Sequence, residues 1–150
     1  MVSERWRVFL DTSVLMAGLA SRTGASAAIR DLGESEELRL VLSRQVLIEA
    51  DRVLFKKFPH LIERYRLFIK SVSPELADDA PPHMIRAAEA VIDPDDAPIL
   101  AAAKQAHLDY LVTLNTKHFL TPKARAFFSA PIVTPGEFLL AFREFWEKTR

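Results

Sequence analysis

Oxygen-bearing side chains recur in this sequence where an apolar run gives way to a helix-start signal. The stretch VFLDTSVLMAGL (residues 8–19) sets Asp11 directly behind Val8, Phe9 and Leu10, with Thr12 and Ser13 following. DPDDAPIL (residues 93–100) packs three acids into four residues at the mouth of a helical pattern, and Thr113, Leu114 and Asn115 follow the apolar run at 110–112. A further carboxylate, Glu49 or Asp51, comes from the helical pattern after the run at 38–42. Singly, each has an ordinary explanation. Asp is a favoured helix N-cap, and 93–96 reads equally well as a solvated acidic loop. Together they offer oxygen ligands from several strand ends, with no cysteine and no paired histidines. That donor set suits a hard divalent cation such as Mg²⁺ or Mn²⁺, which activates water and stabilises charge developing on a phosphoryl oxygen.

Something must bring these residues together. Short apolar runs at 8–10, 38–42, 110–112 and 132–133 read as strands, and longer helical patterns separate them. Residues 45–55 place Val46, Leu47, Ala50, Val53 and Leu54 on one arc, and residues 96–107 do the same with Ile99, Leu100, Ala103 and Ala106. On the first of these helices Glu49 and Asp51 flank opposite margins of the apolar arc, and periodicity does not choose between them. Thr134, Pro135, Gly136 and Glu137 form a capping box with proline at the first helical position. Behind it Phe138, Leu139, Phe142, Phe145 and Trp146 make an apolar stripe, expected to lie in the core. Strands apolar on both faces and alternating with helices predict a parallel sheet covered on both sides. Ala77 to Met84, ADDAPPHM, reads as a flexible loop joining two helices. Ligands of such sheets bind beyond the carboxyl ends of the strands, where Asp11 and Asn115 fall.

Composition sets the outer bounds. A chain of 150 residues with 49% hydrophobic side chains fits one domain, residues 1–150. Lys and Arg equal Asp and Glu at 20 each, so overall charge argues neither for nor against nucleic acid. The absence of cysteine excludes disulfides and thiol catalysis. The start, MVSERWRVFL, has no apolar stretch long enough for a signal-peptide core, and no later segment approaches a membrane span. A cytoplasmic protein is expected.

The order VFLDTSVLMAGL, LVLSRQVLIEADRVL, DPDDAPILAAAKQAHLDYLVTLNTKHF and PIVTPGEFL resembles the PIN-domain family, in its toxin–antitoxin branch related to VapC. The resemblance runs from about residue 7 to 142. It implies a three-layer α/β/α sandwich around a central parallel sheet and a metal-dependent endoribonuclease using Mg²⁺ or Mn²⁺. Its implied partners are an RNA substrate, an antitoxin protein and a second copy in a homodimer. The family's acids fall on Asp11, Glu49 and Asp96, which settles Glu49 over Asp51. Asp11 and Asp96 would ligate the metal, and Glu49 would bind it or orient water. The fourth acidic position reads Asn115, which keeps an oxygen donor but removes a charge and a possible base. Asp93 or Asp95 is available to restore that charge. Thr12, Ser13 and Thr113 carry hydroxyls suited to fixing the carboxylates, or to plain capping.

Asn115 also supports a different reading, a cleavage-deficient PIN-fold module that binds RNA or a partner protein. A receiver-type signalling domain shares acids at strand ends, but it expects an acidic pair where this chain has Leu10, Asp11 and Thr12. Arg52, Lys56, Lys57, Arg64, Arg66 and Lys70 make residues 52–70 locally basic, which suits an RNA backbone and equally an ordinary solvated surface. Phe68 is expected in the core, with Tyr65 open between core and base stacking. His60, His83, His107 and His118 lack ligand spacing, and a surface role is expected of His118.

Overall fold

The structure, a computed structural model, describes residues 5–149. The single-domain reading of 1–150 therefore includes residues 1–4 and 150, which lie outside the described residues. Along the chain run β1 (Trp6–Leu10), α1 (Thr12–Ala20), α2 (Ala25–Glu34), β2 (Leu38–Ser43), α3 (Arg44–Lys57), α4 (Ile62–Val72) and β3 (Glu75–Ala77). Next come α5 (Pro82–Glu89), α6 (Ala97–Gln105), β4 (Tyr110–Val112), α7 (Thr116–Phe119), α8 (Pro122–Phe127), β5 (Ile132–Val133) and α9 (Pro135–Thr149). The sheet order is β3-β2-β1-β4-β5, and every neighbouring pair is parallel.

The central strands are buried on both faces, because helices cover both. Val8, Phe9, Leu10, Leu40, Val41, Leu42, Leu111 and Val112 are all shielded from solvent. On one side α9 packs against α2 and β4; elsewhere α6 packs on β2 and α3. Close approach requires small residues. A Cβ on Gly33 of α2 would lie 2.4 Å from Leu40 Cδ1, and α6 buries Ala97, Ala101, Ala102 and Ala103. This is the expected α/β sandwich with a parallel sheet.

Two expectations need correction. Residues 75–77 form a fifth strand at the sheet edge, paired Val41 to Glu75 and Ser43 to Ala77, so ADDAPPHM joins that strand to α5 rather than two helices. Arg7 of β1 and Arg39 of β2 both reach Glu75, which fixes the edge by charge rather than by apolar alternation. The last helix is the other case. Phe138 is fully buried, but Trp146 is 39% exposed, its ring 6.1 Å from Phe142. The helix outruns the sheet it covers.

Candidate metal and nucleic-acid site

Register places the site. Leu10 pairs with Val112, so the next residues, Asp11 and Thr113, leave adjacent strands side by side. Asp11 N–H donates to the Val112 carbonyl at 3.2 Å, and Thr113 N–H to that of Val133 at 2.9 Å. The Thr113 hydroxyl, fully buried, donates to Asp11 Oδ2 at 2.6 Å. On the other oxygen, Oδ1, the carboxylate accepts from Ser13 Oγ at 2.5 Å and from Val14 N–H at 3.2 Å. Capping and site formation are thus one arrangement. With about four lone pairs on a carboxylate and three donors counted here, Oδ2 keeps one acceptor position.

Glu49 lies on the second turn of α3, whose start is fixed by Ser43 accepting from Val46 N–H at 3.2 Å. Thr12 donates its hydroxyl to Glu49 Oε1 at 3.1 Å, tying α1 to α3. Asp51 is exposed, whereas Glu49 is partly buried. Asp96 stands at the N-cap position of α6 yet makes no side-chain cap bond. Instead its Oδ2 lies 2.7 Å from His118 Nδ1, which in turn is 3.4 Å from Asn115 Nδ2. Asn115 N–H donates to Thr113 Oγ1 at 2.9 Å. Asp93 and Asp95 are exposed, and Asp93 Oδ1 accepts from Asp95 N–H; they form a local turn beside Asp96.

The crowding shows in the electrostatics. Burial, the largest cause, pushes the Asp11 carboxyl above its ordinary range even though Ser13, Thr113 and Val14 all donate to it; the like charge of Asp96 adds to the rise. Glu49 is raised by burial and by Asp96 and Asp11, against the Thr12 hydrogen bond. Asp96 is raised by burial, with His118 opposing and Asp93 and Asp95 adding. Three crowded acids, each costing free energy to ionise, make a donor set that a hard cation would relieve. Among the described residues no group of three or more His, Asp or Glu side chains already stands at metal-binding spacing.

His118 is the residue whose contact sequence reasoning missed. It is partly at the surface, as expected, with 37% of its side chain exposed, and it also contacts Asp96. The sequence carries no local signal for this contact, because α7 spans four residues and Asp96 lies 22 positions away.

Arg52, Lys56, Lys57, Arg64, Arg66 and Lys70 are all exposed along α3 and α4, and the charge of Arg52 acts on Glu49. Tyr65 and Phe68 are both buried, and burial together with Asp51 pushes the Tyr65 hydroxyl up to about 12. A cavity of about 430 Å³ between α1, α2 and α4 lies apart from the carboxylates. Its Arg30 and Arg64 donate to the carbonyls of Ser21 and Leu19 at 2.9 Å, closing the end of α1. Among the described residues no helix is long and apolar enough to cross a membrane.

Comparison with known proteins places this architecture. The PIN-domain family model matches residues 7–117, so the chain belongs to the PIN-domain family, which as a class comprises nucleases. Beyond that span, β5 and α9 continue the same sheet and its helical layer. The structure is similar to PAE2754 from Pyrobaculum aerophilum, with a TM-score of 0.62 at 18% identity over 94% of this chain and 99% of that one. It is also similar to VapBC from Salmonella typhimurium bound to DNA, at 0.65 and 18% over 87% and 98% of the two chains. For VapBC2 from Rickettsia felis, bound to a DNA fragment from its promoter, the values are 0.64 and 15% over 85% and 98%. No curated protein sequence matches.

Proposed function

We propose that this PIN domain is a divalent-cation-dependent endoribonuclease, the toxin half of a cytoplasmic toxin–antitoxin pair that works as a homodimer. The observation that carries the reading is the convergence of Asp11, Glu49, Asp96 and Asn115, drawn from distant parts of the chain, with the three carboxyls raised largely by burial. Asp11, through the open position on Oδ2, and Asp96 would hold Mg²⁺ or Mn²⁺. When bound, that ion supplies positive charge to the scissile phosphate and acidifies water. Glu49 has Oε1 engaged by Thr12, which leaves Oε2 to take a proton as water adds in line to phosphorus and the opposite P–O bond breaks. Asn115 contributes a carbonyl oxygen without charge. The exposed cations of α3 and α4 would guide the RNA backbone without reading its sequence. Similarity to VapBC assemblies supports an antitoxin partner.

Asn115 favours one other reading, a module that binds RNA or protein without cleaving. Gel analysis of a mixed-sequence and a structured RNA with Mg²⁺, Mn²⁺ or EDTA separates the two. Metal-dependent fragments from wild type, absent in Asp11→Ala and Asp96→Ala, are expected. Intact RNA that nonetheless binds the protein would leave the module reading.

A further inference from the structure

We propose that His118 is a nitrogen ligand of the cation site, joined to Asp96 and Asn115, and that it selects Mn²⁺ over Mg²⁺. The inference rests on the cation-site reading above and deepens it.

The geometry at Nδ1 is the starting point. One ring nitrogen lies 2.7 Å from Asp96 Oδ2 and 3.4 Å from the Asn115 amide nitrogen. If Nδ1 carries a hydrogen, it donates to the carboxylate but faces the Asn115 NH₂ with like polarity. If Nδ1 is bare, it accepts from the NH₂ but sets its lone pair against a carboxylate oxygen. No tautomer satisfies both neighbours. Turning the Asn115 amide by half a rotation, which exchanges N for O in the same volume, puts Oδ1 beside Nδ1. A carboxylate oxygen, an imidazole nitrogen and an amide oxygen then converge, a set held together either by an Nδ1–H shared between the two oxygens or by a cation in its place. Adjacent ligands on an octahedral ion with bonds of about 2.1 Å lie roughly 3.0 Å apart. The two observed separations fall on either side of that spacing.

The surroundings hold this trio in place. Phe119, next to His118, is buried, and its N–H donates to the Asn115 carbonyl at 3.0 Å, so α7 is pinned beneath the imidazole. Asn115 is tied through Thr113 to Asp11. The partly exposed His118 leaves a path from solvent. Chemistry then sets the preference. Imidazole is a good ligand for first-row transition ions, whereas Mg²⁺ favours oxygen and gives up water reluctantly. A site that offers a neutral amide and an imidazole where a further carboxylate could stand discriminates against Mg²⁺.

The test uses the full chain and Mn²⁺ alone as probe. Electron spin-echo spectra of bound Mn²⁺ should show imidazole ¹⁴N coupling in wild type, replaced by ¹⁵N coupling when histidine is labelled. His118→Gln, which keeps a hydrogen-bonding group beside Asp96, should lose the coupling. By calorimetry, His118→Ala should weaken Mn²⁺ on the order of 10- to 100-fold, as loss of a supporting group does at minimum. Mg²⁺ affinity should change less than about threefold, since Mg²⁺ does not draw on the imidazole. Mn²⁺ bound at wild-type strength in His118→Ala, or nitrogen coupling that survives in His118→Gln, overturns the inference. If Asp11→Ala and Asp96→Ala still abolish Mn²⁺ binding in that event, the cation site stands without His118. No saturable binding of either ion overturns both.

Discussion

Thr113 offers a sharp test of how the fold holds its carboxylates. Its buried hydroxyl donates to Asp11 Oδ2 at 2.6 Å and accepts from Asn115 N–H at 2.9 Å. Thr113→Val keeps the branched shape and deletes both bonds. A hydrogen bond to a charged group contributes about 1.5–3 kcal/mol, and leaving the half-buried Asn115 N–H without its acceptor costs roughly 1 more. The expected destabilisation is therefore about 2.5–4 kcal/mol, which for a chain of this length lowers Tm by roughly 7–12 °C. Thr113→Ser keeps the hydroxyl and loses one buried methyl, a cost of about 1 kcal/mol. Urea unfolding at pH 7 in EDTA, with unchanged m-values, measures both. Valine within about 0.5 kcal/mol of wild type, or serine as damaging as valine, would refute the assignment of that energy to the hydroxyl.

Other outcomes follow from the same geometry. Asp11, Glu49 and Asp96 have folded-state values raised above 3.8, 4.5 and 3.8, so their contribution is fully present below those values and is lost as pH rises through the raised ones. Glu75 and Glu137, lowered by Arg7 and by the Thr134 backbone, act oppositely and lose their contribution as pH falls below 4.5. In EDTA the melting temperature should therefore peak at mildly acidic pH and fall toward neutrality. Asp11→Asn should be neutral or stabilising there, and millimolar Mn²⁺ should restore wild type only; a curve indifferent to both ions counts against the site. Asn115→Asp should lower stability in EDTA, tighten Mn²⁺ binding and raise the rate of RNA cleavage, all read on the same preparation. Unchanged binding and rate would mean that position 115 does not face the cation.

The sequence revealed those parts of the site that coincide with strong local signals. Asp11 ends an apolar strand and starts a helix, so two independent patterns mark it. Asp96 precedes an alanine-rich helix that is buried nearly all round. Glu49 required the family pattern, because helical periodicity treats both margins of an apolar arc alike. The residues that escaped lack any such signal. β3 is three residues long, its Leu76 is 55% exposed, and Glu75 is held by arginines from β2 and β1, so no alternation announces it. His118 lies on a four-residue helix, too short for periodicity, and its role depends on a contact 22 positions away.

Two N-cap positions illustrate how fold and chemistry divide the work. Asp11 caps α1 with a real side-chain bond and is 4% exposed, with three donors fixing it. Asp96 occupies the same position on α6, makes no cap bond, and gives its oxygen to a partly exposed histidine. The first carboxylate cannot turn without breaking the start of a helix, and the second can turn at the expense of one contact. On the proposed reading, Asp11 is the fixed anchor and Asp96, with His118 and Asn115, the adjustable side by which a cation enters. Among the described residues no three His, Asp or Glu side chains stand at metal-binding spacing. A fully closed acidic cage would concentrate repulsion in the metal-free fold, where burial already raises all three carboxyls. Leaving one side open lowers that cost, and closing it is work for the ion's own binding free energy.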